Sequence, residues 1–158
     1  MGLFTGSQIV ELAIQIEKNG EAFYQAAKKA AASEEAKDVF GYLMSEERRH
    51  LAMFQGLLGK IELVRPPEQY EGEWDAYLAS AASEHMFGDP GRAASVIARM
   101  KTQEDAITYA IGFEKDSILL FYELGNLVEG KSKDAVAKLR DEEKEHLRRL
   151  SELRKILG

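Results

Sequence analysis

Cysteine is absent from this sequence. That excludes disulfides, zinc–thiolate sites and iron–sulfur clusters. Proline is scarce, three in 158 residues, and the stretches between breakers are rich in Ala, Leu, Glu and Lys, which points to a mainly α-helical chain. No apolar run approaches the roughly 18 residues that span a bilayer. Residues 1–7 hold neither a basic region nor an apolar segment of signal-peptide type, so the expectation is a cytoplasmic protein with no membrane partner. Positive charge is in deficit, with 21 Lys and Arg against 27 Asp and Glu and a net −6. Such a balance disfavours nucleic acid or an anionic surface as a partner. The length fits one domain, residues 1–158, with a sizeable core.

Apolar residues recurring at three- and four-residue steps predict four long helices, over about 7–32, 34–59, 103–129 and 132–157. In the first, Val10, Ala13, Gly20, Tyr24, Ala27 and Ala31 form the buried stripe, and Glu17 falls inside it. In the second it is Phe40, Leu43, Glu47, His50, Phe54 and Leu57; in the third, Ile107, Ile111, Glu114, Ile118 and Phe121; in the fourth, Val136, Leu139, Glu143, His146, Leu150 and Leu153. Ser33 and Ser132 are expected N-caps, Thr102 with Asp105 is an expected capping box, and Gly130 is expected to close the third helix. Between the helix pairs, Pro66-Pro67 and Asp89-Pro90-Gly91 are breakers. The connection over 60–102 is too long for a turn and reads as a crossover with short helices around 74–85 and 92–100. The expected architecture is an all-α four-helix bundle with one long crossover between helices 2 and 3. Tyr70, Trp74 and Tyr77 are expected to anchor the crossover on the bundle, and His85, beside Glu84, is expected at the surface.

The chain is internally duplicated. Glu47-x-x-His50 recurs as Glu143-x-x-His146 at an offset of 96, within matched apolar positions. Ala13 to Lys18 likewise matches Ala110 to Lys115 at an offset of 97, which pairs Glu17 with Glu114. The one-residue difference is assigned to the hairpin loops. A helix pair repeated in this way builds a pseudo-two-fold bundle.

The informative residues are the polar ones inside the stripes. A Glu and a His three residues apart share a helix face and can bind one metal ion or two neighbouring ions. A buried carboxylate without a partner costs several kcal/mol, so it is neutralised, paired or metal-bound. No Lys or Arg lies in any of the four stripes. Two divalent ions would balance four glutamates, with neutral imidazoles completing the site, and oxygen and nitrogen donors without sulfur suit iron or manganese. Each residue alone has an ordinary reading as a solvated helix face or a satisfied polar pair; all six at matched positions favour the metal. Tyr24 and Tyr122, two turns after Glu17 and Glu114, read either as core tyrosines or as hydrogen-bond donors to a ligand carboxylate. Glu46 and Glu142, one position off the stripe, are expected to face solvent. A purely structural bundle, in which the six only bond one another, is the remaining alternative.

On Glu17 with Tyr24, Glu47-x-x-His50, Glu114 with Tyr122, and Glu143-x-x-His146, the sequence resembles the rubrerythrin-type, ferritin-like di-iron family, in its form without a rubredoxin domain. The resemblance covers essentially the whole chain. It implies that Glu47 and Glu143 bridge two metals while Glu17, Glu114, His50 and His146 are terminal ligands. It also implies peroxide or O₂ reduction, or ferrous oxidation, in a homodimer. Two features depart from that pattern. Ser117 stands where the family has a further carboxylate, with Glu21, one turn after Glu17, as a conceivable substitute. And without cysteine the chain needs an external electron donor. Ferritin-like iron storage or hand-off is the second reading the resemblance allows.

Overall fold

A computed structural model describes residues 4–158; residues 1–3 of the N-terminal stretch read above for a signal lie outside the described residues. Among the described residues there are six helices and no strands: α1 (Gly6–Ala30), α2 (Glu34–Leu57), α3 (Glu73–Glu84), α4 (Pro90–Arg99), α5 (Gln103–Asn126) and α6 (Gly130–Leu157). The four long ones form the bundle. α1 packs on α2 and α5 on α6, each pair joined by a three-residue loop, and the pairs meet through α2 with α6 and α1 with α5.

Local chemistry sets the helix starts. Thr5 opens α1 and Thr102 opens α5, each in a capping box in which the threonine side chain accepts from the N3 amide and the N3 side chain accepts in return. Ser33 caps α2, and Asp89 caps α4 with Pro90 in its first turn. Two expectations at the second hairpin need correction. The third helix ends at Asn126, and Gly130, with φ of 61°, begins α6 rather than closing α5. Ser132 therefore lies inside the first turn and caps nothing. The duplication already carried this information, since Gly130 matches Glu34, the first residue of α2, at the offset of 96. Both hairpin loops have three residues, so the one-residue difference between the halves falls at the end of α5, not in a loop.

Of the three expected crossover anchors, Trp74 packs against the core. Tyr70 is 63% and Tyr77 40% exposed, and Trp74 is only half-buried. The fully buried anchor is Phe87, set between Phe23 and Phe113 at ring-centroid distances of 5.2 Å and 4.7 Å. Asn19 Nδ2 donates to the Phe87 carbonyl at 2.9 Å and fixes the loop on α1. Leu78, Ala93 and Val96 add apolar contact, and Arg65 pairs with Asp75 at 2.9 Å near the start of α3.

Candidate metal centre

The four helix stripes bring Glu17 from α1, Glu47 and His50 from α2, Glu114 from α5, and Glu143 and His146 from α6 to one place in the bundle centre. None is more than 1% exposed. They divide into two groups that could each hold an ion, Glu17, Glu47, His50 and Glu143 on one side and Glu47, Glu114, Glu143 and His146 on the other, with donor atoms inside each group within 4.8 Å of one another. Glu47 and Glu143 belong to both groups, which is the geometry a bridging carboxylate requires. The two imidazoles stack with centroids 5.3 Å apart and 15° between planes. His50 Nδ1 lies 3.0 Å from Glu143 Oε1, and His146 Nδ1 lies 3.0 Å from Glu143 Oε2, so one carboxylate spans both rings. The close approach of α1 depends on Gly20: a Cβ there would stand 2.7 Å from the Phe113 ring and 3.5 Å from Glu47 Cγ.

Whether these residues fit a metal can be judged from what they leave undone. Both oxygens of Glu17, both of Glu47 and one of Glu114 are buried without a hydrogen-bond donor among the described residues. Native structures leave few such groups, because each carries its full desolvation cost. Protons take up the deficit. Burial, then the charge of Glu47, pushes the Glu17 carboxyl well above the usual range; burial, then the charge of Glu143, does the same at Glu114. Burial alone would raise Glu143 too, but the neighbouring Glu114 and the hydrogen bonds of His146 and His50 hold it well below the carboxylate range. Burial works against the imidazolium of His146, yet the nearby carboxylates of Glu114, Glu143 and Glu47 raise it strongly; His50 rises for the same kind of reason, through Glu143. A cluster that gathers protons in place of missing positive charge fits divalent cations, and its oxygen and nitrogen donors fit iron or manganese.

The family profile for Rubrerythrin matches residues 8–154. This chain belongs to the rubrerythrin family. The crystal structure of a protein described as a ferritin-like diiron-carboxylate protein, from Thermotoga maritima, is 34% identical and has a TM-score of 0.74, covering 100% of this chain and 99% of that one. No curated protein sequence matches. One glutamate from each of two helices and a Glu-x-x-His from each of the other two is the arrangement of ferritin-like di-metal bundles.

Within this rubrerythrin-family site, several surrounding residues lie elsewhere than the sequence implies. Tyr24 donates to Glu114 Oε1 at 2.5 Å, across the bundle from its own helix. Tyr122 does not reach the site: it is 51% exposed, with the Arg140 guanidinium 5.8 Å from its ring. Seven residues after Glu17 comes Tyr24, but seven after Glu114 comes Phe121, which is fully buried; Tyr122 is one step, about 100°, further round the helix. Glu21 is drawn outward by Arg48 at 2.8 Å and is no substitute ligand. His85 is buried, not at the surface. Its Nδ1 accepts from the Phe87 amide at 3.0 Å, so Nε2 carries the proton and donates to Ser117 Oγ at 3.2 Å. Burial pushes the His85 imidazole down to about 4, so it stays neutral. Glu46 and Glu142 are half-buried and turn back over the histidines. The stripe pattern places both in solvent, although their own match at an offset of 96 is a signal that could have drawn attention to them.

Proposed function

We propose that this rubrerythrin-family chain is a two-iron carboxylate protein that reduces peroxide or O₂ with electrons from an external donor, serving oxidative-stress defence. The observation that carries the reading is the pair of ligand groups sharing Glu47 and Glu143, with five buried carboxylate oxygens that nothing else satisfies. Glu17 and His50 would hold one ion, Glu114 and His146 the other, and Glu47 and Glu143 both. Manganese or a mixed pair would accept the same donors. Two bound irons supply one electron each, enough, with two protons, to convert one hydrogen peroxide to two waters. The chain's own contribution is to bind, orient and exclude water. Tyr24 fixes the carboxylate of Glu114, and Phe23, Phe40 and Phe113 pack around Tyr24 at centroid distances of 5.2, 6.3 and 6.1 Å. A dry, aromatic wall of this kind keeps bulk solvent from a reactive centre. Without cysteine the chain holds no sulfur-bound electron relay, which is why the donor is placed outside it.

Ferrous oxidation for iron binding or hand-off is the second reading, favoured by one observation: Ser117, one turn after Glu114, is taken up by His85 and offers no further carboxylate. Stopped-flow mixing of the iron-loaded, reduced protein with peroxide and with O₂ separately tells the two apart. Oxidation by peroxide at least tenfold faster than by O₂ supports peroxide reduction; equal or faster O₂ consumption supports the ferroxidase reading; no reaction with either would remove both. We further infer a cytoplasmic homodimer from the family resemblance. Exposed Tyr122, Leu119 and Tyr77 on α5 and α3 are compatible with a covered face. Sedimentation giving twice the chain mass supports this, and a closed shell of many subunits would favour storage.

A further inference from the structure

Both site histidines turn Nδ1 toward the carboxylate cluster and Nε2 toward the seam between α2 and α6. His50 Nε2 lies 2.9 Å from Glu142 Oε2, and His146 Nε2 lies 3.7 Å from Glu46 Oε2. Each outer carboxylate thus faces the histidine of the opposite helix. Arg49 stands between them, its Nη2 2.7 Å from Glu46 Oε2 and 2.7 Å from Glu142 Oε2. We propose that Glu142, held by Arg49, is a positioning residue that fixes the ring and tautomer of His50, and that the looser contact of His146 makes the two metal positions unequal. The proposal rests on the ligand assignment given above.

Carboxylates face both ring nitrogens, Glu143 at Nδ1 and Glu142 at Nε2. With a cation on the cluster side Nδ1 would give it a lone pair, and the one proton of a neutral His50 would sit on Nε2, where Glu142 accepts it. Arg49 Nη2, 3.5 Å from His50 Nε2, is itself a donor and cannot compete for that proton. What it does is hold Glu142 in place and separate two carboxylates that would otherwise repel across the seam. The inequality has a visible cause. Arg49 engages Glu46 through both oxygens, Nε to Oε1 at 3.3 Å and Nη2 to Oε2 at 2.7 Å, whereas Glu142 shares one oxygen between Arg49 and His50. Glu46 is thereby turned toward Arg49, and His146 Nε2 is left buried without a hydrogen bond. Within the repeated motif the sequence breaks the symmetry of charge at Arg49: the matching residue in the second half is Glu145, which pairs with Arg148 and Arg149.

Removing a partner of this type lowers metal affinity about 10–100-fold. The test is calorimetric titration of the metal-free full chain with Co²⁺, for wild type, Glu142→Ala and Glu142→Gln, with proton NMR of the exchangeable imidazole N–H signals in the Co²⁺-loaded forms. Wild type should bind two ions with unequal affinity and show one slowly exchanging imidazole N–H. Glu142→Ala should weaken one binding event about 10–100-fold and lose that signal. Glu142→Gln, which keeps a carbonyl acceptor, should restore the signal and most of the affinity. Glu142→Ala binding both ions like wild type, or both events weakening together without rescue by glutamine, would overturn the proposal. Wild type taking up no Co²⁺ would instead overturn the ligand assignment, and the positioning role with it.

Discussion

At Tyr24 a single hydroxyl ties α1 to α5 through Glu114 Oε1. The other half of the duplication has Phe121 at that position, so Glu17 receives no such donor and both its oxygens stay unpaired. Replacing Tyr24 with Phe makes the two halves alike and leaves a buried carboxylate oxygen without its partner. The expected cost is about 1–3 kcal/mol of stability in the metal-free protein, read from urea unfolding; an unchanged midpoint would show that this bond contributes nothing. Gly20→Ala acts from the opposite direction. The new methyl meets the ring of the fully buried Phe113, so overpacking of about 1–3 kcal/mol is expected, with weaker metal uptake because relieving the clash moves α1 and the Glu17 it carries. Equal stability and equal uptake in that variant would mean α1 can shift without disturbing the site. The six ligand-type residues were legible in the sequence because burial follows the helix period and each sits inside an apolar stripe. Glu46 and Glu142 were not: one step off the stripe their Cα atoms turn outward, and only their long side chains, drawn together by Arg49, bring them back.

Among the elements, the four long helices follow from periodicity and capping, while the crossover does not. Its segments are short, lack a sustained period, and draw their order from tertiary contacts. Aromatic content pointed to Tyr70, Trp74 and Tyr77, yet Phe87, in an irregular stretch between α3 and α4, is the residue fully enclosed. His85 escaped notice for the same reason, since nothing in the sequence around it distinguishes a buried imidazole from an exposed one. Phe87→Ala should therefore destabilise the protein by about 3–5 kcal/mol and loosen the crossover before the bundle. Hydrogen exchange provides the measurement: amides of α3 and α4 should lose protection first, and uniform loss across all six helices would contradict this order.

For the whole molecule, the central cluster ties stability to pH and to metal. Glu17 and Glu114 have folded-state carboxyls raised above 4.5, and His50 and His146 have imidazoles raised above 6.5. Each group therefore binds more protons folded than unfolded as pH climbs from its unfolded value toward its folded one, and stability falls with rising pH across that interval. Glu143 and His85, both held low, have the opposite sign, but the loss at Glu143 lies at acid pH, and the rise from His85 between about 4 and 6.5 is outweighed there by Glu17 together with Glu114. The metal-free protein should thus show a falling melting temperature from about pH 5 upward. Saturating divalent metal should reverse the slope, because ions displace the same protons and bind more tightly as pH rises. A metal-free melting temperature that climbs over this range would mean the cluster does not hold those protons.

The duplication, the bundle and the charge balance converge on one claim, that two metal ions sit side by side between Glu47 and Glu143. Anomalous scattering at the iron edge, from crystals of protein loaded with ferrous iron, tests it most directly. The account predicts two peaks about 3.5–4 Å apart, each adjoining one histidine and both adjoining Glu47 and Glu143. A single peak, or none between the four helices, would contradict it.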